Sequence, residues 1–519
     1  MTARPRRAPR AAAVRRPAEP VPAIASVAVG AGALALYLWL APRVTGDQDA
    51  SELTLALATG GVPHPSGYPI YAMLGHAFCA LVHGTGATWS YAANAWSALG
   101  AGVAIGLFHA LAARAPDRAA PAGRGLRFAI ALVVTAVAAL HPAWTMVASY
   151  AEVHSWHLAW AAGLALAFLA IVRAIDARPV RSDRALFGVA FGWGVLCGLG
   201  AAHHMTGGLL ALPLTGGIVF TLIRAGRWRA TMIVAGAAGA VIPLTSYAFI
   251  VVRAFHPAAF QWPMLEPSLA SVAHHVMGGG YGRYFGHFAP ADIQGPLIAA
   301  TVYPLLFPAL ALLAFATWRA APRERLARGA LLAAAALQTI AVFEYGVPDP
   351  ASYFVPAIWL ALLVVPIAVA AIASRTFALL AVTAAAIAAL PALVPWWAQA
   401  VDRREGFVVV DAHLRGVWRG LPFDRGFVLW PRDMYCRFRE YQMFDGEKPQ
   451  IFVTSPNLLT FDPPRREFIR RFGFDPLDGL HMRSSGDLGE VAENINRRTA
   501  LPVAVVDRFG FAATVLPKR

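Results

Sequence analysis

The sequence predicts an α-helical polytopic membrane protein followed by a small α/β domain. Three observations carry that expectation. The 519 residues are 58% hydrophobic and 14% charged, against about 25% charged in an ordinary soluble domain. Before residue 398 apolar runs of roughly 18 to 25 residues recur, each long enough to cross a core of about 30 Å as a helix. The runs are continuous rather than alternating, which speaks against a transmembrane β-barrel.

Eleven spans are predicted, near 22–42, 88–112, 128–147, 154–172, 185–202, 206–223, 231–252, 293–317, 329–347, 353–373 and 376–395. The first follows an Arg-rich segment, 1–21. It reads as an uncleaved signal-anchor, because the run is long and no small-residue cleavage site follows. The stretch 69–84 is apolar but short and holds His76 and His83, which suits an interfacial or re-entrant helix.

Charge tests the count. If 69–84 does not span, one set of loops collects Arg114, Arg118, Arg124, Arg127, Arg173, Arg178, Arg181, Arg184, Arg224, Arg227, Arg229, Arg319, Arg323, Arg325, Arg328 and Arg375, together with the arginines of the N-terminal tail. The other set holds only Arg43, Arg253 and Arg283. That asymmetry predicts a cytoplasmic N-terminus and an extracytoplasmic C-terminal domain. It also accounts for the net charge of +15 without a nucleic-acid partner. Cys79, Cys197 and Cys436 form no framework and no CxxC pair, so they read as packing residues.

The predicted organisation is a basic cytoplasmic tail at 1–21, a membrane domain at 22–397 with outer loops 43–87 and 253–292, and a soluble extracytoplasmic α/β domain at 398–519. Within the last, Phe407–Val410, Gly426–Trp430, Ile451–Thr454 and Pro502–Val506 read as strands. No GxGxxG or Walker pattern precedes a helix, so no nucleotide cofactor is expected.

With that topology the unusual polar residues fall on one face. Asp49 and Glu52 lie in the polar segment after the first span, and His64-Pro65-Ser66-Gly67-Tyr68-Pro69 follows. Carboxylates beside a membrane are costly to hold there without a task. The bland reading of either acid is a helix cap. The functional one is a base that takes a proton from an attacking hydroxyl, with Asp47 as competitor. The proline–glycine run fixes a turn, in which His64 suits phosphate binding and Tyr68 the headgroup level. Glu152 reads as a cap or a ligand contact, His204 as a phosphate ligand or a hydrogen-bond partner of Glu152, and Arg253 as an anion partner. Tyr281 ends a Gly-rich loop, and Asp349 reads first as a turn residue. The adjacent pair His203-His204 would point about 100° apart on a helix and seldom chelates one ion, so no metal site is assigned, and the sequence leaves dependence on a divalent metal open.

The run Asp49-Ala50-Ser51-Glu52-Leu53, then Gly61-Val62-Pro63-His64-Pro65-Ser66-Gly67-Tyr68-Pro69-Ile70-Tyr71, then Asn94 and Ser97, resembles the signature of the transmembrane-protein-260-like protein O-mannosyltransferases. Further matches are Trp144, Glu152-Val153, Gly198-Leu199, His204, Thr206, Tyr281, Pro348-Asp349, Tyr353 and Pro356, with Arg432-Asp433, Gln442 and Lys448-Pro449 in the tail. Two positions depart from the pattern: Ser51 stands for a Gly and Ser66 for a Pro.

The resemblance implies a GT-C architecture in the bacterial inner membrane. It implies a polyprenyl-phosphate sugar donor, with mannose as the family's sugar, and an extracytoplasmic protein or glycan hydroxyl as acceptor. Asp49 would be the base. Glu52 and Glu152 would position the acceptor or hold the site, and His64, His204 and Arg253 would stabilise the departing phosphate. A transporter or lipid flippase is the alternative, but it would place polar residues near the midplane and on inverted repeats.

Overall fold

The computed structural model describes residues 21–46, 49–117, 120–176, 183–286, 294–347, 350–480, 488–507 and 509–518. Asp47, Pro348, Asp349 and the basic tail therefore lie outside the described residues.

The membrane part runs α1 (Ala23–Leu40), α2 (Ala50–Thr59), α3 (Pro69–His83), α4 (Trp89–Arg114), α5 (Arg124–Leu140), α6 (Pro142–Ala148), α7 (His154–Asp176), α8 (Asp183–His203) and α9 (Gly207–Arg224). It continues with α10 (Thr231–Phe255), α11 (Leu269–Val276), α12 (Gly295–Trp318), α13 (Pro322–Glu344), α14 (Pro350–Ala370) and α15 (Arg375–Arg419). Among the described residues ten helices are long and apolar enough to cross a membrane, and eleven if α5 and α6 count as one span. The chain is an integral membrane protein.

The expected span 128–147 is not straight, since α5 and α6 meet at 69°. The cause is local: Pro142 has no N–H to donate, and it pushes His141 out of helical geometry (φ −55, ψ 130). The stretch 69–84 forms α3, too short to span, as its length predicts.

Burial separates core helices from lipid-facing ones. In α4 and α14, 78% and 83% of the apolar window is buried, against 11% in α10 and α15. The closest crossings use glycine. A Cβ on Gly30 would stand 2.9 Å from the Gly102 carbonyl, and one on Gly194 only 1.9 Å from that of Gly236, so α1–α4 and α8–α10 pack backbone against backbone.

The α/β unit adds β1 (Arg425–Leu429), α16 (Cys436–Asp445), β2 (Gln450–Thr454), α17 (Asp462–Phe472), α18 (Leu488–Arg498), β3 (Val503–Val506) and β4 (Ala513–Val515). The strand order is β2-β1-β3-β4. β1 pairs parallel with β2 (Phe427 to Phe452) and β3 (Phe427 to Val503), and β4 closes antiparallel on β3. Strand alternation sends Val428 and Trp430 toward Trp418 and Phe438 of α15 and α16. It sends Phe427 and Leu429 toward Phe468 and Ile495 of α17 and α18.

One expected strand is corrected. Phe407–Val410 is helical, inside the 45-residue α15. Three successive valines favour a strand locally, but tertiary contacts decide. Phe407 packs edge-on against Tyr150 at 5.5 Å, and Asp411 pairs with Arg415 one turn on. The valines remain exposed on the helix surface. β4, three residues long, carries too little pattern to read from sequence.

Candidate active site

The site is built where the end of α1, the starts of α4, α7 and α14, and the end of α8 meet at one end of the helix bundle. Asn94, one turn into α4, ties two loops together. Its amide donates to the carbonyls of Pro42 and Val44 at 2.9 and 3.0 Å, and its oxygen accepts the Ala151 N–H at 2.8 Å. Ser97, one turn later, exchanges hydrogen bonds with the backbone of Glu152 at 2.9 and 3.0 Å. These two residues lock the segment before α2 against the segment before α7.

Asp49 stands immediately before α2, yet its carboxylate makes no capping hydrogen bond. It is 39% exposed, and its nearest charged partner is His64 Nε2 at 3.8 Å. The cap reading of Asp49 therefore does not hold. Glu52, by contrast, is 1% exposed. It accepts the His64 backbone N–H at 2.5 Å and faces His64 Nδ1 with both oxygens at 3.2 Å.

His64 Nε2 lies 2.9 Å from the Tyr68 hydroxyl, which donates onward to the Pro65 carbonyl. Hydrogen accounting then gives His64 a proton on each nitrogen. Burial alone would lower its pKa. The charges of Glu52 and Asp49 outweigh that and raise it to about 10. Gly67 at φ +84 turns the chain so that Tyr68 can face back to His64.

Aromatic and imidazole rings wall the space beside this pair. Tyr281 and Trp262 lie 6.2 and 6.1 Å from the His64 ring, and His204 stacks on Tyr68 at 5.6 Å. The Thr206 N–H donates to His204 Nδ1, which leaves the ring's hydrogen on Nε2. His154 and Tyr353 complete that wall. Glu152 Oε1 accepts the Val153 N–H at 2.8 Å and lies close enough for its charge to reach His64.

The fold thus gathers Asp49, Glu52, His64, Tyr68, Glu152, His204 and Tyr281. Arg253 is placed apart from them. Its guanidinium lies over Phe249 and 3.1 Å from where a Cβ on Gly60 would stand, at the end of α2 opposite Asp49. Trp262 and His154 escape a sequence reading, because a lone aromatic or histidine beside an apolar run carries no pattern. Asp49, Glu52 and His64 each offer a ligand atom within 4.8 Å of the others, so they could hold a divalent cation if His64 gave up a proton. As they stand, an imidazolium sits between two carboxylates, with one carboxylate open to an incoming hydroxyl.

Residues 49–228 match the family described as protein O-mannosyl-transferase TMEM260 N-terminal domain. The match begins on Asp49 itself and takes in the gathered residues from Asp49 to His204, whereas Tyr281 lies beyond it. It supports a membrane glycosyltransferase.

The fold is similar to the crystal structure of ArnT from Cupriavidus metallidurans bound to undecaprenyl phosphate. The TM-score is 0.50 at 15% identity, over 80% of this chain and 84% of that one. The archaeal oligosaccharyltransferase AglB from Archaeoglobus fulgidus, in complex with an inhibitory peptide and a dolichol-phosphate, aligns at a TM-score of 0.47. Its identity is 14%, over 82% of this chain and 64% of that one. The architecture is GT-C-like. A comparison with curated proteins finds no match.

Proposed function

We propose that the chain transfers a sugar, mannose on the family description, from a polyprenyl-phosphate donor to an acceptor hydroxyl of an extracytoplasmic protein or glycan. The single observation that carries this reading is the uncapped carboxylate of Asp49, 3.8 Å from a buried imidazole held by Glu52. Asp49 takes the acceptor proton as the hydroxyl oxygen bonds to the anomeric carbon. The bond from that carbon to the phosphate oxygen breaks, and the phosphate leaves with the electron pair. His64 and the Nε2–H of His204 supply positive charge and a donor where negative charge develops. Tyr68, Tyr281 and Trp262 offer ring faces and hydroxyls to the sugar.

A lipid-linked donor suits a fold whose ArnT relative is described with undecaprenyl phosphate. The arginine asymmetry supports a site outside the cytoplasm, with the chain in a bacterial inner membrane and its N-terminus inside. A reporter fused after Arg519 reads that side directly.

The test of the chemistry is Asp49→Asn, which keeps the size of the side chain and removes its charge. Insertion in the membrane should be normal, and sugar transfer should fall by about 10²- to 10⁴-fold. Asp47→Asn should change transfer far less. A native rate in Asp49→Asn, or a dead Asp47→Asn, removes Asp49 from the chemistry.

A further inference from the structure

Among the described residues the Asp49 side chain has only its 3.8 Å contact with His64, but its two flanks are held. Thr45, four residues before it, is 1% exposed, and its hydroxyl lies 2.6 Å from Glu440 Oε2 and 2.9 Å from Ser90 Oγ. Ser51, two residues after it, is 3% exposed and faces the same carboxyl group without reaching full hydrogen-bond geometry. Glu440 belongs to α16 of the α/β unit, 395 residues along the chain from Thr45. It is 4% exposed.

A carboxyl group is expensive to bury beside a membrane surface unless something is gained from it. Its environment is arranged around it. Arg437, one turn earlier on α16, is buried and pairs with Asp411 of α15 at 3.4 Å. Tyr441, the next residue, donates to the same Asp411 at 2.9 Å. α16 is thereby pinned to the long helix that rises from the membrane, so Glu440 reaches the loop from a rigid support. On the other side Ser90 of α4 fixes Thr45 from the bundle.

We propose that Glu440 is a positioning residue for the transfer reaction: through Thr45 and Ser51 the α/β unit sets the place of Asp49 over the site. This rests on Asp49 being the base. Glu440 touches no substrate and acts only through the backbone on either side of that residue. A small displacement of a reacting group costs on the order of 10²-fold in rate, so a loosened loop should register in turnover.

The experiment uses the full chain in lipid nanodiscs with two readouts. In the first, transfer is measured with polyprenyl-phosphate mannose as donor probe and a Ser/Thr-rich peptide as acceptor probe. Glu440→Ala and Thr45→Val should each lower kcat by about 10- to 100-fold, and Thr45→Ser, which restores the hydroxyl, should recover the native rate. In the Asp49→Asn background Glu440→Ala should cost nothing further, because what it positions is already lost. A role in folding alone would lower both backgrounds equally.

In the second readout, hydrogen exchange is followed without substrate. Amides of the segment 49–57 should exchange about tenfold faster in Glu440→Ala, while α4 and the sheet keep their protection. Unchanged exchange in that segment, full activity of Thr45→Val, or a loss additive with Asp49→Asn each overturns the positioning role. If the native chain does not turn over the probe, or if Asp49→Asn stays active, the functional reading is what fails. The exchange experiment then still decides whether Glu440 holds the loop.

Discussion

In the segment 49–68 the carboxylate of Asp49 leaves the start of α2 uncapped, whereas in the α/β unit Lys448 and Gln442 spend all their side-chain hydrogens on fixed partners. Lys448 gives its three hydrogens to the carbonyls of Leu421 and Phe423 and to Asp424. Gln442 gives both amide hydrogens to the carbonyls of Lys448 and Ile451, and its oxygen accepts from Arg439. The resemblance read from the sequence takes in all three residues, yet their hydrogen bonds assign them different work. The donor hydrogens of Lys448 and Gln442 are all taken, whereas among the described residues the Asp49 carboxylate has only its 3.8 Å contact with His64. A polar residue with unused bonding capacity beside a satisfied scaffold marks where chemistry can occur.

Glu52→Gln should break that comparison most severely within the loop. It removes the charge that does most to raise the pKa of His64 and leaves a buried imidazolium with only the weaker charges of Asp49 and Glu152. Loss of one partner of a buried pair costs about 3–5 kcal/mol, and transfer should fall with it. The pH dependence gives the mechanism. His64 has its folded pKa raised from 6.5 to about 10, so the stability it contributes is complete below about pH 6.5 and is lost as pH rises through 10. Thermal melts of the native chain should therefore decline between those values, and Glu52→Gln should flatten the decline. An equally steep decline in the variant would show that Glu52 is not what holds the proton.

Gln442→Leu should sharpen the comparison from the other side. It removes one hydrogen bond each from the carbonyls of Lys448 and Ile451, the first of which still accepts the Ile451 N–H at 3.1 Å, at a net cost of about 0.5–1.5 kcal/mol per bond. Melting of the unit should drop, while transfer per folded molecule stays native. A fall in turnover at unchanged folded fraction would give this region a part in binding that its hydrogen bonds do not indicate.

What was legible follows from distance along the chain. Spans are local patterns: eleven are expected, and the described residues hold ten, or eleven if α5 and α6 count as one; the bend at His141 was not expected, although Pro142 is its local cause. The pairing of Glu52 with His64 lies within twelve residues and was anticipated as a cluster, though not as a pair. From sequence Glu52 stands with Asp49 among the catalytic candidates, to position the acceptor or hold the site, and the fold buries it against His64. The contact of Thr45 with Glu440 was beyond reach, because no periodicity records how a domain is seated on a bundle. Phe407–Val410 failed for the opposite reason. Its strand propensity is plain in the sequence, and the contacts that override it come from Tyr150 and from the pairing of Asp411 with Arg415.

Arg253→Ala carries the smallest expected effect and separates charge from position. From sequence alone Arg253 is a natural ligand for the departing phosphate, as one of three arginines in the loops on that face. In the fold it lies over the Phe249 ring at 5.7 Å, beside Gly60. α2 has ten residues, which places about 15 Å of helix between that end and Asp49. A guanidinium over an aromatic ring contributes about 0.5–1 kcal/mol where solvent reaches it, so melting should shift slightly and kcat should stay native. The KM for a polyprenyl-phosphate donor should stay within about threefold, the factor that 0.6 kcal/mol corresponds to at 25 °C. A much larger rise in KM alone would mean that the donor phosphate extends along α2 to Gly60. The open end of the site would then lie at both ends of that helix rather than at Asp49.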